Sequence, residues 1–462
     1  MLSTTRLVVM NHGGDDDTGA VDAYRHLPHV INHGARILVL APDRPAWSAL
    51  RAAHLDALDP SLDWDQLLKF IPDCSGVNFD EFVTIAPVAS WHAVSIEMRE
   101  DAEGLSQSER LLVSRAFPKA EALTLWEIPK GFSGSRVFMA YEKRKEASTS
   151  IAHWTQPRLI KVGARAAIAQ EILAMQAVSP FIPFDLRPNL DTHVVGFSHS
   201  VFVADFVDGS ESMLDAVHAG RGEAALSNLF NRTMNRWRER GWQRATSSES
   251  LADAAERLRI VDPSLIRPAY TQCDQAEQAG IDVSGLWIKL RDIRFPHRVA
   301  TIHGDLHGDN VRVRGDDAIL IDLGSVKGDD RDGGGAPLSF DIAMLEVALV
   351  FTRARHETDR SFGQAAWAKE IEPYYRSEAI GKALEATDAP HNGGWMLGCL
   401  QRIRAFGIYE QSDGDEYALA LAIAMLRMCK FEPQSEADKG RRVRGLLIAS
   451  RIVEDIHRGR MT

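Results

Sequence analysis

A chain of 462 residues, 45% hydrophobic and 25% charged, is long enough for two or three domains with sizeable cores. The net charge of −11 argues against broad nucleic-acid binding, and the four scattered cysteines, with no Cys-x-x-Cys, exclude a zinc motif and a disulfide framework. The first ten residues lack a signal-peptide core, and no apolar run approaches the ~20 residues of a membrane helix, so a cytoplasmic protein with no membrane and no nucleic-acid partner is expected.

Residues 1–115 read as a separate α/β unit. Arg6–Met10 and Ala35–Leu40 are short apolar strands, Glu81–Ala86 is a later one, and Ala20–Leu27 is a short helix ended by Pro28. Strands alternating with helical stretches predict a parallel sheet. Asp15, Asp16 and Asp17 follow the first strand, where receiver domains of two-component signalling carry an acidic pair. The unit resembles a receiver in that respect alone. No phosphate-accepting Asp follows Thr84-Ile85-Ala86, so an inactive, regulatory domain that contacts a protein partner is expected.

Residues 120–209 change to a hairpin pattern. Leu123–Ile128 and Arg136–Tyr141 flank the turn Lys130–Ser135, a polar loop covers 142–156, and Arg158–Val162 is a strand followed by a helix over 166–178. Ser200–Val207 is a further strand. Residues 210–462 are largely helical, with 212–296 forming a helical insertion. Within it the basic run Arg232–Arg244, interleaved with Trp237 and Trp242, reads as a solvated amphipathic helix in preference to a phosphate-contacting patch. Helices are also expected near 339–353, 362–374, 393–409, 417–428 and 435–457, with Gly333-Gly334-Gly335 as a flexible connector.

The chemistry concentrates in His303-Gly304-Asp305-Leu306-His307-Gly308-Asp309-Asn310, a polar loop. The apolar strand Ala318–Ile321 follows and ends in Asp322, twelve residues after Asn310. Two acids and an amide brought together in this way can hold magnesium and orient a hydroxyl toward a nucleotide phosphate. Gly304–Gly308 also resembles the first metal-binding motif of metallophosphatases. The second motif those enzymes need has only a poor counterpart in Gly328–Asp332, and their Asn-His-Glu is absent.

His303-x-Asp305-x-x-x-x-Asn310 followed by a strand-terminal Asp322 resembles the protein-kinase-like superfamily, in particular its aminoglycoside phosphotransferase and choline kinase branch. That resemblance implies an α+β, two-lobed kinase-like fold, with a small β-rich lobe and a large helical lobe, behind the receiver-like domain. It implies Asp305 as the base that meets the acceptor hydroxyl, Asn310 and Asp322 as ligands of Mg2+, His303 as a brace of the loop, and His307 near the terminal phosphate of ATP or GTP. Upstream, Gly131, Ser133 and Gly134 match a nucleotide-covering turn, although an ordinary hairpin turn has the same composition. Lys161 matches the strand lysine that contacts the α- and β-phosphates, or is an edge-strand lysine in water. Glu171 matches its helical partner or is a solvated glutamate. Phe202–Gly209, with Asp205 and Val207, matches the hinge whose backbone meets the adenine, or is simply a core strand.

Downstream, Asp341 in Ser339-Phe340-Asp341-Ile342-Ala343 matches the aspartate that hydrogen-bonds the catalytic loop, or caps a helix. The resemblance spans roughly 120–450, and only 300–346 is specific. The implied reaction is transfer of the γ-phosphate of ATP or GTP to a hydroxyl of a small molecule. The alternatives are a nucleotide-binding regulatory pseudokinase and a protein kinase; the short span from Asp322 to Asp341 leaves little room for peptide docking. The domain combination also resembles kinase-like domains of multi-component bacterial signalling or defence systems.

Overall fold

The computed structural model describes residues 7–11, 24–40, 44–56, 68–71, 94–99, 103–128, 134–145, 152–242, 246–328, 334–352, 364–385 and 396–461. It is a mixed α and β structure whose chain separates into two compact units, residues 1–170 with 189–208 and residues 171–188 with 209–462. No helix among the described residues is long and apolar enough to cross a membrane.

The first unit opens with β1 (Leu7–Asn11), α1 (Leu27–Asn32), β2 (Arg36–Leu40) and β3 (Leu68–Ile71), the strands forming a parallel sheet in the order β1-β2-β3. Leu27, Ile31, Ile37, Val39, Trp47 and Leu68 form its core. Two expectations need correction. Pro28 does not end a helix. It stands in the first turn of α1, where its missing N–H would have had no helical partner and its fixed φ suits the helix. The strand order is not that of a receiver either, because β2 is flanked on both sides where the receiver order leaves the second strand at the edge. The acidic run Asp15–Asp17 and the strand expected at Glu81–Ala86 lie outside the described residues.

A seven-stranded sheet follows in the same unit. It comprises β4 (Ser95–Arg99), β5 (Ala120–Ile128), β6 (Arg136–Lys145), β7 (Ala152–Trp154), β8 (Arg158–Ala164), β9 (Leu190–Val195) and β10 (His199–Asp205). The order is β4-β5-β6-β8-β10-β9, with β7 against β6. The expected hairpin is present, with Trp126 opposite Met139 and Ile128 opposite Val137. Among the described residues of the expected loop at 142–156, 142–145 and 152–154 are strand instead, because β6 runs on to Lys145 and β7 pairs back on it. β4 pairs with β5 in parallel, so this sheet begins before residue 115. Between β4 and β5 lies α2 (Gln107–Ala116), closed at its start by a Ser106–Glu109 capping box. The Arg115 guanidinium donates to the carbonyls of Asn32 at 2.7 Å and Val195 at 3.3 Å, satisfying an orphan carbonyl at the end of α1. Burial lowers its pKa to about 10.

The second unit is built on helices. β11 (Glu211–Ser212) leads into α3 (Met213–His218) and pairs with β14 (Val311–Arg314), which pairs with β15 (Asp317–Leu320). β13 (His297–Ala300) lies between β12 (Thr246–Ser247) and β16 (Ala336–Pro337). The core comes from α4 (Ser339–Phe351), α5 (Leu397–Glu410), α6 (Glu416–Met428) and α7 (Glu436–Met461), all close to their expected places. α4 is apolar on every side and almost wholly buried.

Its one buried glutamate, Glu346, accepts from Arg404 at 2.9 Å, from the Tyr375 hydroxyl at 2.9 Å and from the Tyr417 hydroxyl at 2.7 Å. Arg404 also donates to the carbonyls of Tyr374 and Ala379. Both charges are fully buried, so each depends on the other for its solvation. Glu346→Ala should lower the unfolding free energy by about 3–5 kcal/mol, because Arg404 is left buried and uncompensated. Urea unfolding of the full chain measures this, and a loss below about 1 kcal/mol would show that the pair is dispensable.

Candidate functional site

The sequence motif folds as a loop suspended between β13 and β14 and tied to the start of α4. Ile302 bridges to Lys327, each donating its N–H to the other's carbonyl at 2.9 and 3.0 Å. Asp341, in the first turn of α4, accepts from the His303 N–H at 2.7 Å and from the Gly304 N–H at 3.0 Å. Asp341 is buried, and burial pushes its pKa up despite His303 and the two backbone donors. Gly304 has φ +77°, and a Cβ there would lie 2.3 Å from the Ser325 carbonyl oxygen, so glycine is required. Gly308 is similarly pressed against the Leu214 backbone on α3.

His303, fully buried, joins the motif to the next strand. Its Nε2 donates to the Ile321 carbonyl at 3.1 Å, and its Nδ1 accepts from the Asp305 N–H at 3.4 Å, which assigns the proton to Nε2. Asn310 ties the loop from the other side. Its Nδ2 donates to the Asp305 carbonyl at 2.9 Å, and its own carbonyl accepts from the Ile321 N–H at 2.9 Å. Both polar groups of the Ile321 backbone therefore hold the motif. Asp322, the next residue, is exposed and takes a left-handed conformation at φ 54° and ψ 62°. A non-glycine residue in that region is strained, and such strain gathers at functional sites.

The Asn310 Oδ1 has no hydrogen-bond partner among the described residues, because the amide nitrogen is the atom committed to the loop. An amide oxygen and an exposed carboxylate are both hard-oxygen donors of the kind that magnesium takes. Gly324, in the turn after Asp322, packs against the Glu171 side chain: a Cβ there would lie 3.2 Å from the Glu171 Cγ. Glu171 is buried, so it is not a solvated helical glutamate.

Asp305 has a partner that sequence reasoning missed. Arg427, in the last turn of α6, donates from Nη2 to the Asp305 Oδ1. Burial pushes the Asp305 pKa up, but Arg427, then His307 and His303, outweigh it and hold the carboxyl below its ordinary value. His307 Nε2 lies 4.0 Å from the Asp305 Oδ2, while its Nδ1 accepts from the Asp309 N–H at 3.3 Å. Burial lowers the His307 pKa against the opposing pull of Asp305 and Asp309, so its ring is neutral near pH 7.

The remaining candidates belong to the first unit. Lys161 is buried on β8, between β6 and β10, opposite Val137 and Phe202, and is therefore not an edge-strand lysine. Gly134 has φ +69°, a conformation that favours glycine; Gly131 and Ser133 lie outside the described residues. The Asp205 carboxylate accepts from Arg158 at 2.7 Å and Asn189 at 3.2 Å, which ties the end of β10 to β8 and the start of β9. Val207 is half-buried just after β10.

No protein-family model matches the chain, and none of the curated proteins searched matches it. Among solved structures, glucosamine kinase in crystal form A is similar over 75% of this chain and 93% of its own, at 12% identity and a TM-score of 0.34. Its crystal form B covers 66% and 74%, at 14% identity and a TM-score of 0.33. An aminoglycoside-3'-phosphotransferase of type VIII covers 61% and 93%, at 18% identity and a TM-score of 0.33.

Removing the Asp341 carboxylate leaves two buried N–H donors without partners. Asp341→Ala should lower the unfolding free energy by about 2–4 kcal/mol, and Asp341→Asn, which keeps one acceptor, by less. Equal stability of wild type and Asp341→Ala in urea would refute the tether.

Proposed function

We propose that this chain is a magnesium-dependent phosphotransferase that moves the γ-phosphate of ATP or GTP to a hydroxyl of a small molecule. One observation carries the reading. The Asp305 carbonyl, the Asn310 amide and carbonyl, and the Ile321 N–H form a continuous hydrogen-bonded path from the proposed base to the residue before Asp322. This frame supports the reading that Asp305, Asn310 and Asp322 act in one phosphoryl transfer.

In this reading Asn310 and Asp322 hold magnesium, which supplies charge neutralisation for the phosphates. Asp305 accepts a hydrogen bond from the acceptor hydroxyl and orients its oxygen for in-line attack. The hydroxyl proton passes to the Asp305 carboxylate as the new O–P bond forms and the bond to the nucleoside diphosphate breaks. A carboxylate held below its ordinary pKa is a weak base. It therefore acts mainly by orientation and takes the proton late, as a loose transition state permits. His303 keeps the loop in register, and His307, neutral beside Asp305, is assigned to the terminal phosphate. Lys161 is assigned to the α- and β-phosphates, with Glu171 in support. Gly131, Ser133 and Gly134 are assigned to cover the phosphates, and the backbone of Asp205 and Val207 to meet the nucleotide base.

The test uses the full chain with Mg·ATP and Mg·GTP against a panel of small alcohols. Asp305→Asn should lower transfer about 10²–10⁴-fold while nucleotide binding is kept. Asp322→Ala or chelation by EDTA should abolish transfer. Undiminished transfer by Asp305→Asn would refute the assigned base. Nucleotide binding without transfer to any acceptor would instead support a regulatory pseudokinase.

A further inference from the structure

The surroundings of Asp305 carry more positive charge than orienting one carboxylate requires. Arg427 contacts it from the last turn of α6. Lys430 lies three residues further on, with its ammonium donating to the Ile260 carbonyl at 2.8 Å and stacked 5.2 Å from the centre of the Phe431 ring. Arg427 approaches the same ring at 5.3 Å. The stem of Lys327 covers Gly304, where a Cβ would lie 2.6 Å from the Lys327 Cγ.

Among the described residues, the Arg427–Asp305 contact is the only ion pair that Arg427, Lys430 or Lys327 makes, and the Nε and Nη1 of Arg427 have no hydrogen-bond acceptor. Burial, then Arg427 and Lys327, lower the Lys430 pKa to about 8 against the opposing pull of Asp305 and Asp262. Arg427 thus touches the Asp305 carboxylate, Lys430 is near enough to feel its charge, and the Lys327 stem lies against the same loop; all three residues are half-buried. A position next to Asp305 therefore repels an ammonium and attracts an anion. A guanidinium with unengaged donors in a planar fork also fits the oxygens of a phosphate or carboxylate.

We infer that the acceptor is an anionic alcohol, whose phosphate or carboxylate group is held by Arg427, Lys430 and Lys327 while its hydroxyl faces Asp305. The inference rests on the phosphotransferase reading for the role of that hydroxyl, but the anion site stands on its own residues. An acceptor of this kind shares Arg427 with Asp305. The arginine then binds and aligns the substrate next to the group that receives its proton. Lys430 and Lys327 act through charge alone, which selects an anion without demanding one geometry.

Titration calorimetry of the full chain without nucleotide tests the site with glycerol 3-phosphate and glycerate as anionic probes, glycerol as neutral probe and glucosamine as cationic probe. An anionic probe should bind at least tenfold more tightly than glycerol or glucosamine, and its identity distinguishes a phosphate from a carboxylate site. Lys430→Met and Arg427→Gln should each weaken that binding about tenfold, and Arg427→Lys less. Mg·ATP affinity, measured separately on the same samples, shows that the variants are folded. Glucosamine binding as tightly as the anions, no anion binding, or anion binding unchanged in both Lys430→Met and Arg427→Gln would overturn the proposal. Anion binding by a chain that binds no Mg·ATP would overturn the phosphotransferase reading and leave the anion site standing.

Discussion

The site depends on one buried carboxylate. Asp341 stands in the first turn of α4 and accepts the N–H groups of two consecutive loop residues, His303 and Gly304. Those donors lie where the chain turns through a positive φ, and no helix or sheet partner is offered to them there. Burying an ionised carboxylate is unfavourable, and the upward shift of the Asp341 pKa reflects that. The two backbone donors, with the positive charge of Arg238 acting at longer range, offset part of the penalty. Loop geometry is thereby coupled to the helix core. α4 cannot move without breaking the bonds that shape the loop, and its own place is held through Glu346 and Arg404.

From that anchor the constraint passes outward by backbone bonds. His303 grips the Ile321 carbonyl, and the Asn310 carbonyl takes the Ile321 N–H, so the residue just after β15 is held at both polar groups. Asp322 follows at once in a left-handed turn that directs the chain away from the strand. A candidate metal ligand on a strained residue is held in place by its neighbours rather than by its own preference. Asn310 commits its amide nitrogen to the Asp305 carbonyl and leaves its amide oxygen for the proposed magnesium. This division explains why an amide serves here where a carboxylate would not, since a carboxylate has no donor for the Asp305 carbonyl.

The parts of this arrangement that lie close together in sequence were legible there. Asp305, Asn310 and Asp322 fall within eighteen residues, and their types and spacing are enough to suggest the chemistry. The long helices were legible as well, because apolar periodicity is a local signal. What could not be read is what depends on pairing across the chain. Arg427 lies 122 residues from Asp305, and the sequence offers only a lone arginine ending an apolar helix. The central place of Lys161 follows from a strand order that puts β8 between β6 and β10. β4 is hidden as part of the larger sheet because its partner lies across an intervening helix, and the end of β6 is hidden because its last four residues, Glu142–Lys145, are all charged. Pro28 was misread because proline serves helix starts as readily as helix ends.

Arg427 places two opposed demands on Asp305. A general base works best with a pKa near the working pH, yet the guanidinium holds this carboxyl low and occupies one of its oxygens. In a phosphoryl transfer that needs little proton abstraction before the transition state, the loss of basicity matters less than the gain in alignment. The same guanidinium also resolves the conflict when an anion is bound. Positive charge shared between the Asp305 carboxylate and a substrate phosphate or carboxylate pulls less on each, and the negative charge of the substrate raises the Asp305 pKa directly. Under the proposed function, Asp305 would therefore become a better proton acceptor with an anionic acceptor in the site. Without the substrate, the pair with Arg427 keeps the carboxylate weakly basic and partly covered. Recognition of the acceptor and activation of its hydroxyl are then two effects of one arginine.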